Sequence, residues 1–263
     1  MRSSVKILGN RIDCFRTYRE LYDDVVKSVQ AGAKGYVTVN NVHTMMEGYW
    51  NASYQTIINE AFLSIPDGKP LEVVGKLKGN KKISRLFGPS VMESFIDWGR
   101  KDGISHFFFG SSEATLLKLR QSIETKYPGT IIAGMVSPPY QPIEQWSNED
   151  FIQSINAAQP DFIWIGLGAP KQECWMHSNY GKIEKGILFG IGAGFDYLAG
   201  NTKHAPEWMK KFALEWLYRL IQEPHRLWKR YLKTIPQFVF FASLELLGIK
   251  LKRANNINGN DVC

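Results

Sequence analysis

One carboxylate, several side-chain amides and two glycine-rich loops stand at the same kind of position in this chain, directly after a short apolar run. Thr38, Asn40, Asn41 and His43 close or follow the run Gly35-Tyr-Val-Thr-Val-Asn40. Pro66-Asp67-Gly68 follows Phe62-Leu-Ser-Ile65, and Gly166-Leu-Gly168-Ala-Pro170-Lys171-Gln172-Glu173 follows Phe162-Ile-Trp-Ile165. Each cluster alone has a plain structural explanation. Pro-Asp-Gly is a common type I turn, Asn at a strand end caps the next helix, and Gly-x-Gly before Pro can be a tight connection. Their coincidence on one rim points to ligand chemistry, because parallel strands bind ligands at their carboxyl ends, where helix N-termini offer free N–H groups.

The elements that must position these residues follow from the apolar spacing. Strands are expected at 35–40, 62–65, 106–109, 130–133, 162–165 and 186–191. Between them, Leu21, Tyr22, Val25, Val26 and Val29 recur at a helical period over 18–29. Pro89 suits the start of a helix through Trp98, Ser112–Lys126 forms another, and Ser147-Asn-Glu-Asp150 has capping-box form before 151–157. Nearly uninterrupted apolar strands alternating with helices predict an α/β fold, a mostly parallel sheet with helices on both faces. After Gly200 only helical patterns remain, opening at Pro206, Pro224 and Pro236 and running to about 221, 232 and 247. The expected division is a core over 1–199, a helical appendage over 200–253 and a frayed tail over 254–263.

Several chemistries are excluded. Gly190-Ile-Gly192-Ala-Gly194-Phe195 has Phe where a dinucleotide fingerprint needs its third Gly, and Glu215, about 20 residues on, lies in a Trp-rich helix. There is no G-x-x-x-x-G-K-[ST] and no G-x-S-x-G, which argues against a P-loop nucleotidase and an α/β-hydrolase. Three cysteines without C-x-x-C spacing argue against a cysteine zinc site.

Charge adds a second signal. The 263 residues carry a net charge of +7. Residues 200–253 hold 11 Lys or Arg against four Glu, so the whole surplus sits there. The same stretch carries Trp208, Trp216, Trp228, Tyr231, Phe238, Phe240 and Phe241. Basic and aromatic residues at helical spacing suit an anionic membrane surface, or nucleic acid, or merely a solvated face over a core stripe. No run of about 18 apolar residues occurs. The start lacks a signal-peptide stretch, so the expected location is cytoplasmic.

A set of longer segments resembles the bacterial WecG/TagA/CpsF glycosyltransferase family. They are Thr38-Val-Asn40, Pro66-Asp-Gly68, Gly166-Leu-Gly-Ala-Pro-Lys-Gln-Glu173, Gly192-Ala-Gly-Phe-Asp-Tyr-Leu-Ala-Gly200, Ala205-Pro-Glu-Trp-Met209, Glu215-Trp-Leu-Tyr-Arg-Leu220 and Glu223-Pro-His-Arg-Leu-Trp-Lys-Arg-Tyr231. Ser90 departs from the pattern, standing where the family often has Asp, and so does His204, where Arg is common. The resemblance implies a Rossmann-like core and a C-terminal helical, membrane-associating appendage. It implies inverting transfer of a sugar, N-acetylmannosamine or a hexose such as glucose, from a UDP-sugar to a polyprenyl-diphosphate-linked saccharide in cell-surface polysaccharide synthesis. It further implies catalysis by Asp67, substrate binding by Thr38, Asn40, Gln172, Arg219, Arg226 and Arg230, and peripheral attachment to the inner face of the cell membrane.

The residue types suit that chemistry. Asp67 can take the proton of an attacking hydroxyl, and with no D-x-D motif to clamp a metal, arginines can hold the diphosphate. No cofactor and no metal are expected, nor is nucleic acid as a partner, and a homo-oligomer stays open. The competing readings are a non-catalytic nucleotide-sugar or lipid-binding protein on the same scaffold, and a basic nucleic-acid-binding protein.

Overall fold

The computed structural model describes residues 2–141, 146, 148–211 and 214–249. A two-stranded antiparallel hairpin, β1 (Ser4–Ile7) and β2 (Asn10–Asp13), precedes helix α1 (Tyr18–Gln30). The main sheet follows: β3 (Gly35–Asn40), β4 (Leu63–Pro66), β5 (Ser105–Gly110), β6 (Ile131–Val136), β7 (Phe162–Gly166) and β8 (Ile187–Gly190). Its spatial order is β4-β3-β8-β7-β5-β6 and every pairing is parallel. The connecting helices are α2 (Val42–Trp50), α3 (Ala52–Glu60), α4 (Lys69–Leu77), α5 (Gly88–Asp102), α6 (Glu113–Lys126), α7 (Asn148–Ala158), α8 (Lys171–Asn179) and α9 (Gly194–Leu198).

Side chains of a strand alternate between faces, and here both faces are dry. Tyr36, Phe107, Phe109, Ile163, Ile165 and Leu188 join one buried cluster with α2, α3, α4, α7, α8 and the hairpin. Val37, Val39, Phe108, Phe162, Trp164, Ile187 and Phe189 join the other with α1, α5, α6 and α9. This explains why the strands read as unbroken apolar runs. The helix after β3 lies on one face and the helix after β8 on the other, while β3 and β8 are neighbours. The chain therefore reverses its winding there and leaves a crevice at the strand carboxyl ends.

All six expected strands and the four expected core helices are present. The hairpin was not anticipated, because four-residue strands carry too short an alternation to register. The C-terminal segment differs more. The helix expected from Pro206 to 221 is two helices, α10 (Glu207–Lys211) and α11 (Glu215–Gln222), and the Leu214 N–H donates to the Met209 carbonyl between them. The helices expected at 224–232 and 236–247 are one helix, α12 (Pro224–Leu246), with Pro236 in its interior. Proline removes one hydrogen bond there at a cost of about 3 kcal/mol. Packing offsets it: Leu227, Thr234, Phe238 and Ala242 are buried along one stripe, and Phe241 stacks on Tyr49 of α2 at 4.7 Å. Among the described residues no helix is long and apolar enough to cross a membrane. The tail expected at 254–263 lies outside the described residues.

Candidate active site

A cavity of about 730 Å³ opens at the strand carboxyl ends, with α11 and α12 forming its far wall. It collects Asp67 and Gly68 after β4, Asn41 to Thr44 after β3, Leu167 to Gln172 after β7, and Gly190 to Gly194 around the end of β8. Arg219, Arg226, Arg230, Tyr218 and Tyr231 line it from the appendage side. Gly168 (φ +79°) and Gly192 (φ +52°) adopt backbone angles that other residues rarely hold, which lets both loops turn at the rim.

Asp67 is fixed on three sides. Its N–H donates to the Asn40 carbonyl at 2.7 Å. Its carbonyl accepts from Arg85 Nε at 2.6 Å, and its Oδ1 accepts from the Gly88 N–H at 3.0 Å. Gly88 is the first residue of α5, so the carboxylate sits at a helix N-terminus, where free N–H groups favour negative charge. No hydrogen bond among the described residues occupies Oδ2, and Asp67 lines the cavity. Burial raises its pKa above the usual carboxylate value. Arg85, the Gly88 hydrogen bond and Arg219 oppose that rise, while Glu215 adds to it. Arg85 in turn pairs with Glu215 of α11 and lies over the Phe87 ring at 4.8 Å, tying α11 to the loop before α5.

The appendage supplies positive charge. Arg219 lies 5.8 Å from the Tyr197 ring centroid, and its buried Nε has no hydrogen-bond partner among the described residues. Arg226 pairs with Glu223, the residue just before α12. Arg230 is held below its usual pKa first by burial and then by Arg226 and Arg219, with Tyr231 and Glu223 opposing. These cations crowd one another, so an arriving anion such as a phosphate would relieve the repulsion.

The amides called from the sequence divide. Gln172 lines the cavity, accepts from the Gly168 N–H at 3.1 Å and donates to Glu173 Oε1 at 2.8 Å, so it props the Gly-Leu-Gly loop. Thr38 and Asn40 do not reach the cavity. Both are fully buried, and Asn40 Nδ2 donates to Thr38 Oγ1 and to Ser64 Oγ at 2.8 Å each. Asn41 caps α2, accepting from the His43 and Thr44 N–H groups. His43 is driven down to a pKa of about 4 by burial, Arg230 and Lys233. It is thus neutral at pH 7, and its approach to Glu47 (3.5 Å) is not an ion pair. Sequence reading gave no role to Arg85, Tyr197 or Tyr231. Arg85 had a usable signal, a lone Arg three residues before a Gly-Pro helix start. Tyr197 and Tyr231 had only their place inside the segments Gly192–Gly200 and Glu223–Tyr231 that resemble the family. Among the described residues no three His, Cys, Asp or Glu side chains group to hold a metal ion.

Beneath the loop, Glu173 is a buried carboxyl whose pKa is pushed up to about 7 by burial, against the hydrogen bond that Gln172 donates. Its folded pKa exceeds the ordinary 4.5, so the folded state keeps a proton that the unfolded chain releases. Stability from this group is full below pH 4.5 and falls as pH rises to 7, by about 3 kcal/mol in all. Glu173→Gln, which keeps an acceptor for Gln172, is expected to match the parent near pH 4.5 and to unfold at higher temperature at pH 8. Thermal denaturation at the two pH values checks this, and equal losses with pH in both proteins would contradict it.

A doubly wound α/β sheet thus has a partly buried carboxylate at its switch-point crevice and arginines along the opposite wall. The comparison with known proteins makes the class specific: the chain belongs to the glycosyl transferase WecG/TagA/CpsF family, which matches residues 5–252. It is 29% identical over 204 residues to the N-acetylglucosaminyldiphosphoundecaprenol N-acetyl-beta-D-mannosaminyltransferase of Bacillus spizizenii (strain ATCC 23059 / NRRL B-14472 / W23), covering 78% of this chain and 77% of that protein. The protein of the same description from Bacillus subtilis (strain 168) is 31% identical over 185 residues, 70% of each chain. That of Staphylococcus aureus (strain MW2) is 26% identical over 195 residues, 72% of this chain and 71% of that protein. The chain is therefore a glycosyltransferase family enzyme, as its Gly166–Glu173 and Glu215–Leu220 segments suggested.

Proposed function

We propose that this enzyme transfers N-acetylmannosamine from UDP, with inversion, to N-acetylglucosamine carried on a polyprenyl diphosphate, a step in cell-envelope polysaccharide synthesis. The descriptions of the relatives supply the sugar and the acceptor. The observation that carries the chemistry is Asp67, which lines a cavity walled by arginines and has one carboxylate oxygen without a hydrogen bond among the described residues. In this reading Asp67 accepts the proton of the acceptor hydroxyl as its oxygen bonds to the anomeric carbon. The bond from that carbon to the UDP oxygen breaks on the opposite face, and UDP leaves with the electron pair. Arg219, Arg226 and Arg230 receive the negative charge of the diphosphate through bidentate contacts. Gln172 shapes the loop beside the sugar. Thr38 and Asn40 act by fixing the ends of β3 and β4 beneath Asp67, since neither side chain is exposed.

The appendage over 200–253 is read as the contact with the inner leaflet of the membrane. Trp208, Trp228 and Leu232 are exposed on it beside Lys229 and Lys233, the composition of an interfacial helix. The test is transfer by the purified protein from UDP-N-acetylmannosamine and from UDP-glucose to a short-chain polyprenyl-diphosphate N-acetylglucosamine, with and without EDTA. The disaccharide is expected from the first donor, in EDTA as well. Transfer from UDP-glucose alone, or strict metal dependence, would overturn the reading.

A further inference from the structure

We infer that the core supplies half of the bilayer-docking face. Helix α4 and the lysine loop that follows it lie beside α12, and together they form one surface for an anionic lipid bilayer. The inference rests on the membrane reading above and adds to it a contact outside the appendage.

The two helices line one cavity at one end and are joined by an ion pair at the other. Lys69 and Pro70, at the start of α4, share the cavity rim with Ile235 and Val239 of α12. Just past the end of α4, Lys78 Nζ pairs with Glu245 Oε1 at 3.0 Å, and Glu245 Oε2 accepts from the Leu8 N–H at 3.0 Å. Over about 14 Å, the length of nine helical residues, α4 and α12 therefore run together in the same direction.

Their outward sides have the wrong composition for water. A surface helix normally turns its polar stripe outward. Helix α4 buries Leu71 and Val74 yet also exposes Val73 (46%) and Leu77 (67%), four residues apart. Helix α12 buries Thr234, Phe238 and Ala242 yet exposes Leu232 (68%) and Val239 (59%), and Leu247 just past its end (73%). Lys76, Lys81 and Lys82 are exposed at the margin.

The carboxylates of these two helices are already engaged. Glu72 is tied to Lys69, Lys76 and the Arg85 N–H, and Glu245 to Lys78 and the Leu8 N–H. No ion pair among the described residues holds Lys81 or Lys82, which stand beside an apolar strip, and the complementary surface is apolar inside an anionic margin, as in a bilayer containing acidic lipids. A symmetric contact between two copies would set positive margins against each other and gain no opposite charge. The same face includes Lys69 and Val239, which also line the cavity.

The test is co-sedimentation of the full chain with phosphatidylcholine vesicles containing or lacking phosphatidylglycerol, with light scattering on the same samples. Lys81→Gln with Lys82→Gln is expected to lower binding to the anionic vesicles about thirtyfold, each lysine near the surface counting equally. Val73→Glu with Leu77→Glu is expected to lower it at least about tenfold. Lys101→Gln, at the end of α5 on the other face of the sheet, should leave binding as it is. All variants should keep the parent's melting temperature and its turnover of a short-chain, water-soluble acceptor, which separates docking from chemistry. Unchanged vesicle binding in the first two variants would overturn the inference and leave the membrane reading standing. A parent chain that ignores anionic vesicles would overturn both. A dimer that Val73→Glu with Leu77→Glu dissolves, without vesicle binding, would assign the face to a second copy instead.

Discussion

Asp67→Asn is expected to lower turnover about 10²–10⁴-fold, the usual contribution of a positioned general base, while UDP binding stays within a few-fold of the parent. The substitution removes a basic oxygen and little else. Oδ1 can still accept the Gly88 N–H, and the main-chain bonds to Asn40 and Arg85 do not involve the side chain. A structural turn aspartate predicts the opposite split, with turnover kept and stability lost. The pH profile adds a second readout. Because burial raises the Asp67 pKa, the carboxyl remains protonated and inactive to a higher pH than an ordinary aspartate. Rate should therefore climb with pH through that raised value, and the limb should vanish in Asp67→Asn. Single-turnover rates across pH, with UDP affinity measured by calorimetry, decide it. Loss of UDP binding together with rate, or a variant as active as the parent, would sink the role of Asp67.

Arg219→Gln is expected to lower kcat/KM about 10- to 150-fold, the loss of one charged hydrogen bond to phosphate worth about 1.5–3 kcal/mol. Its buried Nε has no hydrogen-bond partner among the described residues, and the side chain lines the cavity, which leaves that donor free for a phosphate oxygen. Arg219→Lys should restore little, since an ammonium cannot supply the planar fork. Arg219 also holds the Asp67 pKa down, so its removal should move the ascending limb of the pH profile to higher pH. A merely structural arginine would not shift that limb. Unchanged UDP affinity in Arg219→Gln, or a pH profile that stays in place, would contradict the assignment. Point substitution is the sharper probe here than truncation near residue 199, because α12 buries Leu227, Phe238 and Ala242 and its removal would uncover the core around Tyr49.

The candidate site was legible in the sequence where local pattern and position coincide. Asp67 and Gln172 follow apolar runs, and a parallel sheet must bring such ends to one rim. Arg219, Arg226 and Arg230 recur in a helical segment whose pattern matched a family. Thr38 and Asn40 share the strand-end position, yet they point into the protein and meet Ser64 instead of the cavity. Strand position gave their height along the sheet. The depth of each side chain depends on what packs over it, and no spacing encodes that.

The strands, their parallel order of connection and the all-helical C-terminal segment follow from the sequence alone, because apolar periodicity and glycine or proline punctuation act over a few residues. What tertiary structure decided is the union of 224–232 and 236–247 into one helix. Proline read locally marks a start, but burial of Phe238 and Ala242 against the core keeps α12 continuous through Pro236. That union carries Arg226 and Arg230 to the cavity and Glu245 to Lys78 on a single element. Local propensity sets which segments can be helical; long-range burial sets where a helix ends and what it covers.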